Sequence, residues 1–145
     1  MKKFKFKLEK ILKYRMQIAK EFKMQVVEAN RLVRIKEKDF EEAVLEKKTL
    51  LEQRNLYASQ NLNIKMLKNY AGYFKVMARR IEYYKRELKN AEENLENKKQ
   101  LYIKAIQDQR ALERLKEKAK LEYDYELMKD EEKIVDSIVS FSNKD

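Results

Sequence analysis

The sequence predicts an all-α protein, a long antiparallel two-helix coiled-coil hairpin, and three observations carry that prediction. Among 145 residues there are one Gly and no Pro, where an ordinary globular domain devotes roughly a tenth of its residues to those turn formers. Charged residues make up 41% of the chain and apolar residues 43%, a balance typical of long helices rather than sheets. The apolar residues also recur in steps of four and three, the heptad rhythm of a coiled-coil seam.

The first helix is expected from about residue 5 to about residue 60, on the order of 80 Å at 1.5 Å per residue. Its seam runs through Phe22, Val26, Ala29, Val33, Lys36, Phe40, Ala43, Lys47 and Leu50, with Leu8, Ile11 or Leu12, and Ile18 upstream. A second helix is expected from about 70 to about 140. Phe74, Met77, Ile81, Tyr84, Leu88, Ala91, Leu95, Lys98, Tyr102 and Ala105 form its seam, followed by a more polar Gln109, Leu112 and Ala119. A parallel stripe of Leu101, Leu115 and Leu121 suggests a stutter near 105 to 110, and Ile134, Ile138 and Phe141 make a last apolar face.

Between the helices, at about 61–69, Asn61, Asn63 and Asn69 gather with Ser59 and Gly72, the densest cluster of cap and turn formers. Either Asn63 or Asn69 would cap the second helix, and Gly72 would mark an irregularity in its first turn. One short turn between two long helices makes residues 1–145 a single hairpin. Charge agrees. Residues 1–23 hold nine Lys or Arg against two Glu, and residues 122–145 hold eight acids against three bases. Folding near residue 65 brings those opposite ends together, whereas a parallel dimer would stack like on like.

The missing residue types limit chemistry. There is no His and no Cys, so the chain lacks the side chain that titrates near neutrality, the usual thiolate nucleophile and the common soft metal ligands. Its carboxylates alternate with Lys and Arg on faces expected to be exposed. The expectation is therefore a non-enzymatic protein with no cofactor and no metal. The N-terminal "MKKFKFKLEKILKYR" contains no apolar run of secretory-signal length, and no segment approaches the roughly 20 apolar residues of a transmembrane helix. A cytoplasmic protein is expected. The net charge of +10 allows a basic binder of nucleic acid or anionic membrane as an alternative, though no nucleic-acid reading motif appears. A generic scaffold dimer is a further alternative.

Two stretches carry a family resemblance. Phe6, Leu8, Glu9, Ile11, Leu12 and Arg15 follow the pattern F-x-L-E-x-[IVL]-L-x-x-R, and Gln107, Arg110, Leu112, Glu113, Leu115, Glu117 and Lys118 follow Q-x-x-R-x-L-E-x-L-x-E-K. Together with the length and the acidic "DEEKIVDSIVSF", these resemble the flagellar type III export protein FliJ family over nearly the whole chain. The resemblance implies a coiled-coil stalk similar to the central subunit of rotary ATP synthases. Its implied partners are the hexameric flagellar export ATPase, the membrane export gate and export chaperones, at the cytoplasmic side of the cell membrane.

On that reading the open end, with Phe4, Phe6, Leu8, Ile11 and Arg15 beside Arg110, Leu112 and Leu115, would contact the ATPase. Phe141 is a candidate to cover Phe4 and Phe6. At the other end Tyr70, Tyr73 and Tyr83 fall off the seam and, with Tyr57, would gather near the apex. Tyrosine offers a large contact area at low entropic loss, so the apex is a candidate contact for a second partner. A thickened core near the turn is the competing explanation.

Overall fold

The computed structural model describes residues 3–60 and 63–143, and the described residues form two helices. α1 spans Glu9–Gln60 and α2 spans Ile64–Asn143. The fold is an all-α helical hairpin. Two compact units make it up, one of residues 1–21 with 102–145 and one of residues 22–101.

The unit of residues 22–101 contains the chain reversal. Its α1 seam is Phe22, Val26, Ala29, Val33, Lys36, Phe40, Ala43 and Leu50, continued by the half-buried Arg54 and Tyr57. Its α2 seam runs from Leu67 and Tyr70 through Phe74, Met77, Ile81, Tyr84, Leu88, Ala91 and Leu95 to Lys98. Stepping up α1 is matched by stepping down α2. Lys36 Nζ lies 3.4 Å from Glu87, Glu46 lies 3.4 Å from Arg80, the Arg54 guanidinium sits 5.1 Å over the Phe74 ring, and the Tyr57 and Tyr70 rings are 6.1 Å apart. Lys47, a seam position by spacing, is exposed.

The start of α2 is six residues earlier than expected, and the cap explains why. Asn63 accepts the Lys65 amide on its side chain (3.1 Å), and its carbonyl accepts the first helical hydrogen bond from Leu67 (3.1 Å). This is an N-cap, so the helix starts at Ile64 and carries Asn69 and Gly72 inside it. Gly72 does not take a positive φ, and a Cβ built there meets nothing within 4 Å. It marks no irregularity. Asn61, also in the expected turn cluster, lies outside the described residues.

The unit of residues 1–21 and 102–145 pairs Leu8, Leu12, Arg15 and Ala19 with Tyr102, Ala105, Gln109, Leu112, Lys116, Ala119 and Tyr123 as buried or half-buried positions. Ala19 takes the buried place and Ile18 stands at its edge. The four-three rhythm continues from Tyr102 to Tyr123 without a stutter; Leu115 and Leu121 lie outside it and are exposed. Here too the order is antiparallel, with Glu9 against Lys116 at 2.9 Å and Arg15 against Asp108 at 3.6 Å.

α1 begins at Glu9, later than the expected residue 5. Residues 3–6 form no helix, and the alternation Lys-Phe-Lys-Phe-Lys-Leu explains it. In an extended chain successive side chains point to opposite sides, so Phe4, Phe6 and Leu8 turn inward while Lys3, Lys5 and Lys7 face water, as the burial pattern records. A helix would set Phe4 and Phe6 about 200° apart.

The core is thin. Of the residues buried most deeply, Ala19, Ala29, Ala43, Ala91 and Ala105 are alanines, accompanied by Leu12, Val33 and Met77. Alanine removes little apolar area from water, so each larger side chain weighs heavily. Met77→Ala should destabilise the protein by about 2 kcal/mol, the low end for a buried Met, read as a lower thermal midpoint. Gly72→Ala should raise stability by about 0.5–1 kcal/mol, because the methyl enters open space and glycine's helix penalty is removed.

Candidate functional site

The unit formed by residues 1–21 and 102–145 carries a built surface where the N-terminal strap meets α2. Phe4, 5.5 Å from the Tyr123 ring, anchors the extended N-terminal strap to α2. Lys120 holds its ammonium 5.2 Å from the Phe4 ring and 4.9 Å from the Tyr123 ring while pairing with Asp124 at 3.2 Å. A cation over two aromatic faces adds to their contact, each such placement contributing about 0.5–1 kcal/mol at an exposed site. On one side of the strap, Phe4, Phe6 and Leu8 face Leu115, Ala119 and Tyr123 across an open groove. On its other side Phe4 and Phe6 border a second groove lined by Lys5, Lys7, Lys10, Lys13 and Lys116, with Glu9 the one carboxylate.

Glu9 is already engaged. Its Oε2 is shut off from solvent, and the Lys116 ammonium 2.9 Å away offsets that desolvation, although the approach is not along a hydrogen-bond direction. The second groove is therefore strongly basic over an apolar floor, an arrangement that attracts an acidic, amphipathic partner. A perturbed acid–base pair lies elsewhere. The fully exposed Glu28 carboxyl accepts hydrogen bonds from Arg31 and is held below its ordinary pKa by them, while the Arg31 pKa is raised by the same contact.

The open-end residues singled out by sequence divide into two groups. Phe4, Phe6, Leu8 and Leu115 meet at one groove. Arg15 pairs with Asp108, Leu112 is half-buried in the seam, and Ile11 and Arg110 point outward, away from the others. Phe141 does not cover Phe4 and Phe6. It is 76% exposed, and the whole stretch 128–143 is exposed, because α2 continues past the strap and none of the described residues lies opposite it. The ring that covers Phe4 is Tyr123, which sequence reasoning missed. Its signal was the four-residue step from Ala119.

Within the other unit the four apex tyrosines do not form one cluster. Tyr57 and Tyr70 face each other near the reversal and are half-buried. Tyr73 is exposed and borders a shallow groove with Leu45, Leu50 and Met77. Tyr83 packs edge-on against Tyr84 at 5.5 Å, about 29 Å along α2 from its start at 1.5 Å per residue.

Among the described residues no group of side chains could hold a metal ion, and no helix is long and apolar enough to cross a membrane. The family model of the flagellar FliJ protein matches residues 4–143. The chain belongs to the FliJ family. The match begins at Phe4 and ends at Asn143, so it takes in both the strap and the exposed end of α2. This FliJ-family chain is accordingly a component of the flagellar export apparatus. Comparison with curated proteins and with solved structures returns no match.

The strap's attachment is testable without any partner. Phe4→Ser with Phe6→Ser should speed trypsin cleavage after Lys3, Lys5 and Lys7 several-fold while far-UV circular dichroism stays unchanged, since these residues lie outside both helices.

Proposed function

We propose that this FliJ-family chain is a non-enzymatic stalk of the flagellar export apparatus, binding the export ATPase ring through its open end and a second partner, the export gate or a chaperone, through the tyrosine-bearing unit. The observation that supports it most is the strap groove. Phe4, Phe6 and Leu115 leave apolar surface where the N-terminal strap meets α2, framed by lysines, and such surfaces serve as anchors for partners. Exposed Tyr73, beside Leu45 and Leu50, is the corresponding feature of the other unit. On this reading the chain supplies shape and charge, and hydrolysis belongs to the ATPase. Its place is the cytoplasmic side of the membrane, reached through partners.

ATP hydrolysis by the purified export ATPase of the same organism, with and without this protein, tests the reading. Stimulation is expected, and removal of residues 1–7, which precede α1, should reduce it at least several-fold with both helices intact. No stimulation by the intact chain overturns the ATPase contact. Tyr73→Ser with Tyr83→Ser should leave that stimulation intact and weaken capture of the export gate or a chaperone; lost helicity in this variant would instead favour a purely structural role for the tyrosines.

The lysine-lined groove also favours a second reading, a binder of nucleic acid or anionic membrane. Salt-sensitive binding to DNA or to anionic vesicles, lost in Lys10→Glu with Lys13→Glu, would support it over the stalk.

A further inference from the structure

The exposed end of α2 is amphipathic and has no partner among the described residues of its own unit. Met128, Ile134, Val135, Ile138, Val139 and Phe141 are each at least half exposed. On a helical projection they fall within an arc of about 160°. Asp130 and Glu132 border that arc on either side, with Asp136 farther round, while Lys129 and Lys133 fall on the opposite face. Glu131 falls near the centre of that arc, so the stripe is apolar with acidic edges and one carboxylate at its middle. The groove beside the strap is its complement, with Phe4 and Phe6 as floor and five lysines around one already paired carboxylate.

Both surfaces belong to the same unit, yet they cannot meet within one molecule. α2 is one helix from Ile64 to Asn143, and the chain holds no Pro and no Gly other than Gly72, so nothing lets the last turns fold back. We propose that the occupant of the groove is the exposed α2 end of a second copy of this chain. Exchange is reciprocal: each copy gives its 128–143 segment and receives the other's, which makes a two-fold dimer through the open ends. Acidic edges meet lysines in both halves at once, and Ile134, Ile138 and Phe141 seat over Phe4 and Phe6. Six apolar side chains from each copy would bury on the order of 1,000 Å² in total, the low end for a stable complex, so the dimer is expected to dissociate in the micromolar range. It would also occupy the surface proposed above for the ATPase. The inference does not rest on that proposal, because self-association is measured with this chain alone.

The test is sedimentation of the full chain over a concentration series up to about 100 µM at low salt, repeated at about 0.5 M salt. The expected result is a weight-average mass rising towards twice the monomer, with dissociation promoted by salt. Ile138→Asp, on a fully exposed turn, should weaken dimerisation at least tenfold without change in helicity. Glu132→Lys with Asp136→Lys should abolish it, and adding Lys10→Glu with Lys13→Glu to the same chain should restore it. Zero-length carbodiimide cross-linking of a mixture of isotope-labelled and unlabelled chains should join Lys10 or Lys13 of one to Glu132 or Asp136 of the other. A monomer throughout the series, or a dimer indifferent to Ile138→Asp, overturns the proposal.

Discussion

The pairing of opposite charges placed on or beside the seam is the constraint on which the rest of this structure depends. With alanine at most of the deeply buried positions, apolar contact alone leaves neighbouring registers weakly distinguished. Lys36 with Glu87, Arg15 with Asp108 and Lys116 with Glu9 remove that degeneracy. Each pair is partly exposed, so its direct contribution is small. Its effect is on the alternatives, because a slipped register would leave a half-buried charge without an opposite, and polar groups at seam positions are known to specify register in this way. The strap over Tyr123 and the unpaired end of α2 both follow from where this register sets the two helices.

Much of the fold was legible because one rhythm encodes it. From Phe22 to Leu50 and from Phe74 to Ala105 the four-three spacing named nearly every buried position, and the polar seam residues were visible as interruptions. What spacing did not reveal was which interruptions are met across the seam: Lys36 finds Glu87, whereas Lys47 turns to water. The helix starts were read less well for local reasons. At the N-terminus a two-residue alternation was taken into a helix although it is the period of an extended chain. At the reversal, composition favoured a long turn, while the single Asn63 side chain closes the helix at once.

The candidate site was only partly legible, since it is assembled from residues far apart in sequence. Phe4, Phe6, Leu8 and Leu115 were named and do converge. Tyr123 and Lys120 were not, because their part depends on a strap whose path no periodicity describes. The tyrosines show the opposite failing. They are close in sequence, and a helix that long distributes them along its length, so that Tyr83 stands well apart from Tyr57 and Tyr70.

The same register has an evolutionary consequence. Adding residues to one arm alone would rotate its seam and carry later ion pairs out of reach of their partners, so single insertions or deletions within the paired helices should be destabilising. A change in length that keeps both seam and pairing must add or remove whole heptads, and must do so in both arms at matching levels. Hairpins of this kind should therefore differ in length among relatives by steps of about fourteen residues, with free variation confined to the reversal and to the end of α2 beyond the strap.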